Sequence, residues 1–221
     1  MSIMEIIPKK IVTSLNKKIL FQKLMIDSNV RPKIIKCVAK SILNDMRCFK
    51  NHVFYVKTGF IVAKQNDKTV HFYSEGDYLD LSYILINEPF PYICETLQAC
   101  ELIAFKKSEV LNLVVGMGEE WFFLEQMEQK NLENIYYPTF LIQSIAADKD
   151  MDVALKYLSG NYAELKDGYY EFPKGFRKQD LYQYLNISNN LLKELGKTEN
   201  NKYSVVNGKK KAVQIMINGN P

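Results

Sequence analysis

The chain has 221 residues, of which 47% are hydrophobic and 24% are charged, and its net charge is +4. This length and composition are typical of one large or two small globular domains. They argue against a membrane-spanning protein, because no uninterrupted apolar run reaches the roughly 18 residues needed to cross a bilayer. Residues 1–10 also lack the apolar core and cleavage site of a signal peptide. We therefore expect a cytoplasmic protein with no membrane partner.

Side chains suited to metal or acid–base chemistry are few. The four cysteines form no C-x-x-C pair, so the sequence indicates neither a zinc site nor an iron–sulfur site. The two histidines are too few to suggest a metal centre or an acid–base catalyst. A small enzyme on a β-barrel scaffold is the weakest functional hypothesis, because the sequence has no nucleophile–base pair and no phosphate-binding glycine loop. We expect no enzymatic activity and no cofactor.

The charge is unevenly distributed. Residues 1–40 carry nine basic and two acidic side chains, residues 41–173 carry eleven and twenty, and residues 174–221 carry nine and three. A mildly acidic middle between two basic ends is what a protein needs if its ends meet a polyanion. By itself this pattern favours nucleic-acid binding only weakly, since charged runs commonly form solvated surfaces.

The first fifty residues predict two helices. Apolar residues recur near i, i+4 spacing over residues 11–24, which is typical of an amphipathic helix. Pro32 is expected to start the second helix, because proline is favoured in the first helical turn. The apolar residues of the two helices are Ile11, Leu15, Ile19, Leu20, Leu24, Ile34, Ile35, Val38 and Ile42.

Residues 53–105 predict short strands separated by turns. The strand-like runs include Val53 and Tyr55, then Phe60 and Val62, and later residues 69–73 and 99–105. A polar turn is expected at residues 65–67 and a break at Gly76-Asp77. Strands of about five residues divided by Gly, Asn and Asp indicate a small antiparallel roll or barrel.

Helical patterns follow the strand block. Ser108 can cap a short helix that ends at Gly116 and Gly118. Its expected buried side consists of Val110, Leu111, Val114 and Val115. Further along, Asp150 can cap another helix, whose apolar residues are Met151, Ala154, Leu155 and Leu158.

A longer helix of about four turns is predicted between these two. Its apolar stripe consists of Trp121, Leu124, Met127, Leu132 and Ile135. Pro138 should kink or stop it. The stripe either forms a dimer interface or packs on the β-domain of its own chain.

Residues 178–197 predict a helix-turn-helix. Leu181 and Leu185 lie on one face of the first helix, Asn186 occupies the turn, and Ser188 caps the second helix. Tyr182 departs from this pattern, because close helix packing favours a small residue at that position.

A basic hairpin follows the helix-turn-helix. Asn207-Gly208 stands between two strand-like runs, residues 202–206 and 209–215, and is a strong signal for a tight two-residue turn. A helix-turn-helix followed by such a hairpin is typical of a winged helix. The alternative is a helical hairpin and ribbon that serve only packing.

The order of these elements resembles the Crp/Fnr family of bacterial transcription regulators over roughly residues 53–215. The fragments that carry the resemblance are Tyr55-Val56-Lys57-Thr58-Gly59, Glu75-Gly76-Asp77, Ala99-Cys100-Glu101-Leu102, Gln179-Asp180-Leu181 and Ile187-Ser188. The resemblance implies an α+β fold with an N-terminal antiparallel β-roll of cyclic-nucleotide-binding type, a long connecting dimerisation helix and a C-terminal winged helix-turn-helix. We place the sensor-like roll with its N-terminal helices at residues 1–117, the connecting helix at 118–147 and the DNA-binding domain at 148–221.

Departures from the family pattern limit what the roll can bind. In members that bind cyclic nucleotides, an Arg-Ser or Arg-Thr holds the cyclic phosphate; here that position falls at about Phe90-Pro91. No Lys or Arg lies between Lys68 and Lys106. A cyclic phosphate would therefore meet Asp77, Asp80 and Glu88 without a compensating cation, so we expect no binding of cAMP or cGMP. The N-terminal cysteine cluster needed for iron–sulfur sensing is also absent.

The interior of the roll is apolar and aromatic. It either holds an unknown small apolar effector or is a filled core without a ligand. The candidate pocket residues are Tyr73, Gly76, Asp77, Tyr78, Leu79, Phe90 and Tyr92.

The resemblance also places the DNA-binding residues. In a helix-turn-helix, the second helix presents its N-terminal part to the base edges of the major groove. Asparagine can pair with adenine, whereas lysines are better suited to contact phosphates. The candidate residues are Lys178, Ser188, Asn189, Asn190, Lys193, Lys197, Lys202, Lys209, Lys210 and Lys211. We expect a homodimer on an A·T-leaning, two-fold symmetric operator.

Two regulatory hypotheses remain. The favoured one is a dimeric, DNA-binding transcription regulator of Crp/Fnr type with a degenerate nucleotide pocket. The alternative is a regulator that has lost DNA binding and works through protein–protein contacts. Tyr182 and the lack of an arginine in the recognition helix support the alternative.

Overall fold

The computed structural model describes residues 15–84, 90–131, 152–185, 203–207 and 213–217. The first part of the chain consists of helix α1 (Lys17–Ile26) and strands β1 (Lys33–Cys37), β2 (His52–Thr58), β3 (Ile61–Gln65), β4 (Lys68–Tyr73), β5 (Tyr78–Leu79), β6 (Ile93–Thr96) and β7 (Cys100–Lys106). Helices α2 (Lys107–Gly116), α3 (Trp121–Asn131) and α4 (Asp152–Tyr162) follow, then β8 (Glu164–Lys166), β9 (Tyr169–Glu171), α5 (Lys178–Tyr184), β10 (Tyr203–Asn207) and β11 (Val213–Ile217).

Helix α1 agrees with the amphipathic pattern of the N-terminal segment. Its first turn is capped by Asn16, whose side-chain oxygen accepts hydrogen bonds from the backbone N–H groups of Lys18 and Ile19 at 3.1 and 3.0 Å. An asparagine cap satisfies donors that a helix start would otherwise leave unpaired. Leu20 and Leu24 are fully buried.

The second predicted N-terminal helix is wrong. Residues 33–37 instead form strand β1, which pairs antiparallel with β7 from Lys33 opposite Ala104 to Cys37 opposite Cys100. The two isoleucines favour an extended backbone. The partner strand lies more than sixty residues away in the chain, so the local apolar spacing does not reveal it.

Two antiparallel sheets form the predicted roll. One has the strand order β1-β7-β2-β5 and the other has the order β4-β3-β6. Tyr55 in β2 pairs with Ile103 on one side and Tyr78 on the other. The polar turn predicted between β3 and β4 is present: Asn66 and Asp67 have φ of 50° and 61°. Asn and Asp tolerate this left-handed conformation, which a tight hairpin turn needs.

Helix α2 starts one residue before the predicted cap, so its N-cap is Lys106 and not Ser108. Val110 and Val114 are buried as predicted, but Val115 is 48% exposed. The helix ends near Gly118, which has a φ of 69°.

Helix α3 begins where the connecting helix was predicted, and residues 132–147 lie outside the described ranges. Phe122 and Phe123 are buried against the roll, whereas Trp121 and Leu124 are 62% and 46% exposed. The first turn therefore packs one face on its own chain and leaves two members of the predicted stripe, Trp121 and Leu124, facing solvent.

The C-terminal region combines α4 and α5 with a four-stranded sheet in the order β10-β11-β9-β8. Leu155 and Leu158 of α4 are buried, and so are Leu181 and Leu185 of the predicted first helix of the helix-turn-helix. Asn186 and the predicted second helix lie outside the described residues.

The predicted two-residue hairpin turn is wrong. Asn207 is the last residue of β10 and pairs with Val213, so five residues separate the two strands. The signal of the Asn207-Gly208 dipeptide is overridden by the register that β11 adopts against β9, in which Ile215 pairs with Tyr170. Lys209, Lys210 and Lys211 fall in the intervening segment, outside the described residues.

The roll and the C-terminal region share one hydrophobic core. The roll contributes Phe60, Val62, Phe72 and Leu97. The C-terminal region contributes Leu155, Leu158, Phe172, Phe176, Leu181, Tyr184, Leu185, Val213 and Ile215. We refer to this set as the shared core. The shared core covers part of the β4-β3-β6 sheet, whereas Phe122 and Phe123 of α3 join a separate cluster that includes residues of β2, β5 and β7.

Candidate effector site

A small cavity lies between the roll and α3. Its volume is about 30 Å³, which is room for about two water molecules by the usual requirement per buried water. The lining residues are Lys17, His71, Tyr73, Asp77, Tyr78, Leu81, Ser82, Gln126 and Gln129. Three of the seven predicted pocket residues, Tyr73, Asp77 and Tyr78, are therefore brought together here.

Tyr73 supplies a polar atom to the cavity. Its side chain is 4% exposed, and its hydroxyl has no hydrogen-bond partner among the described residues. The ring packs edge-on against His71 with centroids 4.5 Å apart. Burial, followed by the nearby Cys94 and Asp77, raises the pKa of Tyr73 well above its usual value. The hydroxyl is thus neutral and retains a proton that it can donate.

Asp77 has a structural role at the mouth of the cavity. Its Oδ2 accepts hydrogen bonds from the backbone N–H and the hydroxyl of Ser74 at 2.9 and 3.3 Å. Its Oδ1 lies 3.5 Å from the Nζ of Lys17 at the start of α1. Gly76, with a φ of 92°, completes this turn. These contacts hold Asp77 in place without a ligand.

Asp80 forms a buried ion pair with Lys107. The side chain of Asp80 is 1% exposed, and its Oδ2 lies 2.5 Å from the Nζ of Lys107, the first residue of α2. A cation in the first helical turn opposes the helix dipole, so Lys107 gains its stabilisation from Asp80. Asp80 also has a φ of 69°, in the left-handed region that aspartate tolerates.

These two pairs correct one prediction from the sequence. Asp77 and Asp80 were expected to lack a compensating cation, because no Lys or Arg lies nearby in the chain. Lys17 and Lys107 come from α1 and α2 and approach both carboxylates. Both ammonium groups are thereby engaged by carboxylates of the roll.

Phe90, which the resemblance places near the phosphate-binding arginine of the family, belongs to an aromatic cluster. Phe90 packs against Tyr83, Tyr92 and Phe49, with centroid separations of 5.4, 5.3 and 5.9 Å. Phe90 and Tyr92 are half-buried against the core of the roll. Neither lines the small cavity, so these two predicted pocket residues belong to the packing of the roll.

Leu79 is also a core residue. It is fully buried and pairs with Phe54 in the sheet. It was included among the pocket residues for its apolar character, but successive residues of a strand point to opposite faces, and Leu79 does not share the face of Tyr78.

Six lining residues were missed by sequence reasoning: Lys17, His71, Leu81, Ser82, Gln126 and Gln129. The two glutamines lie one turn apart on α3, three positions from each other, which places them on the same helix face. That spacing was readable in the sequence. Nothing local, however, indicated that the face would meet the roll.

A larger cleft of about 1040 Å³ separates part of the roll from the C-terminal region. Its charged residues are Glu75, Glu164, Lys166, Asp167, Glu171 and Lys174. Lys166 is engaged by two of the carboxylates, at 3.3 Å from Glu164 and 2.8 Å from Glu171. In the part of the chain that the structure describes, no group of three or more His, Cys, Asp or Glu residues could hold a metal ion.

Of the predicted DNA-binding residues, Lys178 is the one whose side chain the structure places. It is the first residue of α5 and is partly exposed. The preceding Arg177 donates from Nε and Nη2 to the buried Asp180 at 3.0 and 2.7 Å, which fixes the start of the helix. The other nine lie outside the described ranges: Ser188, Asn189, Asn190, Lys193, Lys197, Lys202, Lys209, Lys210 and Lys211.

Within the described ranges, no helix combines the length and the apolar character needed to cross a membrane. The sequence matches no family model. It also matches no curated protein.

Several solved structures share the fold over most of the chain. The regulator CLP of Xanthomonas campestris, described as c-di-GMP responsive, aligns with a TM-score of 0.60 and 13% identity, covering 91% of this chain and 99% of its own. FixK2 of Bradyrhizobium japonicum aligns with a TM-score of 0.57 and 14% identity, covering 86% and 93%. A cyclic nucleotide-binding domain containing protein of Listeria monocytogenes aligns with a TM-score of 0.57 and 15% identity, covering 90% and 97%. The fold shared with CLP and FixK2 confirms the resemblance of this chain to Crp/Fnr-type regulators.

Proposed function

We propose that this protein is a homodimeric, DNA-binding transcription regulator of Crp/Fnr type whose nucleotide pocket does not accept cAMP. The observation that carries the proposal is the similarity to two regulators along about nine tenths of the chain, roll and C-terminal region together. A likeness confined to the roll would fit any cyclic-nucleotide-binding protein. The likeness here extends through the region that would carry the winged helix.

The size of the cavity supports the part of the proposal that concerns cAMP. A volume of about 30 Å³ is far below the roughly 300–1,000 Å³ of typical small-molecule pockets. Lys17, the one Lys or Arg among its described lining residues, is already paired with Asp77. A cyclic phosphate would have to break that pair and enter beside a carboxylate, which is electrostatically unfavourable.

The exposed apolar side chains of α3 support the dimer. Trp121 and Leu124 lie three positions apart on the same helix face, and Val115 lies near the end of the preceding helix. Large aromatic side chains at this exposure are typical of interface anchors. A second copy of the chain, packed through α3, would bury them.

The C-terminal elements support DNA binding. Helix α5 precedes the segment that would form the recognition helix, and β10 and β11 form the antiparallel ribbon that would serve as the wing. The segment between the two strands carries three consecutive lysines, which are suited to phosphate contacts.

Sequencing the DNA that the purified protein retains from fragmented genomic DNA tests the function. We expect enrichment of A·T-leaning sites with two-fold symmetry.

The K209A/K210A/K211A protein should lose affinity for specific and random duplexes by a similar factor. The slope of its log affinity against log salt concentration should flatten by about two or three units. The K18A/K33A/K36A protein, which changes the same net charge on α1 and β1, is the matched control. Asn190→Ala should weaken binding to the preferred sequence alone, by about 1–3 kcal/mol, and so reduce discrimination between sites.

Absence of enriched sites, with the triple-alanine protein matching the parent across a range of salt, would favour the regulator that works through protein contacts. Calorimetric titration with cAMP or cGMP should give no measurable binding, and a micromolar dissociation constant would contradict the proposal.

Light scattering should give a dimer mass that falls to a monomer mass after Leu124→Lys. Leu165→Lys, at another exposed leucine on β8, should leave the mass unchanged.

A further inference from the structure

Two cysteines stand directly opposite each other on neighbouring strands. Cys37 ends β1 and Cys100 begins β7, and the two are paired residues in the antiparallel register. Directly opposed residues project their side chains from the same face of the sheet. Both cysteines are buried in the same cluster of core residues, at 7% and 4% exposed. Both are free thiols.

The backbone geometry of this position suits a disulfide. Opposed residues of an antiparallel pair have Cα atoms about 4.5 or 5.5 Å apart, depending on whether the pair is hydrogen-bonded. Both separations fall within the roughly 4.4–6.8 Å span that disulfides bridge. The cysteines are 63 positions apart in the sequence, so the spacing of cysteines along the chain gives no sign of this proximity.

The surroundings hold the Cys100 sulfur in place. Its Sγ donates toward the carbonyl oxygens of Gln98 and Phe60 at 3.2 and 3.7 Å. It also lies over Gly59, where a Cβ would approach the sulfur to 2.4 Å. The glycine at position 59, with a φ of 110°, thus leaves the space that the thiol occupies. Cys48 lies close enough to Cys37 to influence its ionisation.

We propose that Cys37 and Cys100 form a redox-active pair that a two-electron oxidant of the peroxide class converts to a cross-strand disulfide. The thiolate of Cys37 attacks one peroxide oxygen, the O–O bond breaks, and the other oxygen leaves as water after it takes up a proton. The resulting sulfenic acid is attacked by the Cys100 sulfur, the S–S bond forms, and the hydroxyl group leaves as a second water. Two thiols are oxidised by two electrons in total, and one peroxide is reduced to two waters.

Oxidation is controlled by the opening of β1. This strand lies at the edge of its sheet and pairs with β7 alone among the described strands, and three of its five residues are exposed. Edge strands open locally at lower cost than central ones. Burial raises the pKa of both thiols, that of Cys100 to about 11. The closed pair therefore holds little thiolate at neutral pH, and reaction requires β1 to open or the pH to rise.

Disulfide formation would enclose the candidate effector site in a covalent loop. Strands β2 to β6 all lie between Cys37 and Cys100 in the chain, and so do the cavity residues Tyr73 and Asp77. A bond between the two cysteines would tie the edge strand to the centre of the sheet and restrict the unfolded chain. Oxidised protein should therefore melt at a higher temperature than reduced protein.

Treatment of the native full-length protein with hydrogen peroxide, followed by non-reducing peptide mapping, tests the pair. Trypsin leaves Cys94 and Cys100 in one peptide, because residues 69–105 contain no Lys or Arg. The map is therefore made in the Cys94→Ser protein, with Cys48→Ser added as a second background. We expect one cross-link, between the peptides of Cys37 and Cys100, and the loss of two of the four thiols in the parent.

The rate of cross-linking should rise with pH toward the raised pKa of the thiols, and dithiothreitol should restore both thiols and the lower melting temperature. Cys37→Ser and Cys100→Ala should each abolish the cross-link and the change in melting temperature. A cross-link from Cys37 to Cys48 would overturn the assignment. So would retention of all thiols at peroxide concentrations and pH values that fully oxidise a small-molecule dithiol.

Discussion

The two faces of the roll are closed in different ways. The side toward α2 and α3 combines apolar packing of Phe122 and Phe123 with two ion pairs, in which Lys17 and Lys107 approach Asp77 and Asp80. It also retains a small cavity lined by Tyr73, whose hydroxyl has no hydrogen-bond partner among the described residues. The side toward the C-terminal region is closed by the shared core, in which Phe72 lies 5.1 Å from Phe176 and 5.4 Å from Tyr184 between ring centroids.

This difference indicates how the C-terminal region is held. The shared core joins it to the roll through buried aromatic rings, and Thr69 adds a hydrogen bond to Gln183 of α5 at 3.3 Å. None of these contacts passes through the cavity. The C-terminal region is therefore held mainly by apolar packing, while the cavity side adds two ion pairs to the apolar packing of α3. Four substitutions measure how much the apolar packing and the polar contacts each contribute to stability.

The largest effect is expected for Phe72→Ala. Removing a fully buried phenylalanine costs about 3–5 kcal/mol of unfolding free energy. Phe54→Ala, at an equally buried position in the core of the roll, is the matched control and should cost a similar amount. Hydrogen exchange distinguishes them: Phe72→Ala should reduce protection in α4 and α5 more than in the roll. Equal loss in both regions for both variants would show that the shared core does not hold the C-terminal region.

Gly175→Ala should follow, at about 3 kcal/mol or more. Gly175 has a φ of 88°, and a Cβ there would approach the carbonyl oxygen of Leu97 to 1.9 Å. The left-handed backbone alone costs about 1–2 kcal/mol for alanine, and overpacking adds about 1–3 kcal/mol. Gly168→Ala isolates the first contribution, because Gly168 has a φ of 84° with nothing within 4 Å. The urea midpoint of Gly175→Ala should be lower than that of Gly168→Ala. Equal midpoints would show that the close approach to Leu97 does not contribute to the loss of stability.

Lys107→Met should cost about 2–3 kcal/mol, because it leaves the buried Asp80 carboxylate without this cation. Lys57→Met removes an exposed pair of similar length, since Lys57 Nζ lies 2.6 Å from Glu101 Oε1 and the lysine side chain is 50% exposed. An exposed pair is screened by solvent and contributes little to stability. Thermal unfolding at low and high salt measures the contrast. If salt weakened both pairs alike, Asp80 would not be as shielded as its burial indicates.

Tyr73→Phe should have the smallest effect and the opposite sign. Removing a buried hydroxyl that has no partner among the described residues should stabilise the protein by about 1 kcal/mol. Tyr78→Phe is the matched control, because the Tyr78 hydroxyl donates to the backbone oxygen of Lys17 at 3.5 Å. That variant should be neutral or slightly destabilised. A clear loss of stability in Tyr73→Phe would mean that the hydroxyl has a bound partner, such as an ordered water.

The candidate site could be predicted from the sequence only in part. Tyr73 and Tyr78 were identified as part of an aromatic interior and Asp77 through the resemblance at Gly76-Asp77, and the structure brings all three to one cavity. Phe90 and Leu79 were included for their apolar character, which is equally typical of core residues. Both turned out to pack in the roll.

The sequence by itself determined the features that depend on neighbouring residues. Three features follow from local conformational preference and helical periodicity. They are the left-handed turn at Asn66 and Asp67, helix α1 with its asparagine cap, and the buried pair Leu181 and Leu185. These interactions join residues within a few positions of each other, so the order of residues is enough to predict them.

Only the tertiary structure decided the features that join distant parts of the chain. Residues 33–37 are a strand because β7 offers an open edge to pair with. Lys107 pairs with Asp80 because α2 begins where β7 ends, close to the residue that follows β5. The register of β10 and β11 is likewise set by β9. In each case the partner lies far away in the sequence, and the stabilisation from long-range pairing and burial exceeds the weak local preference that the sequence expresses.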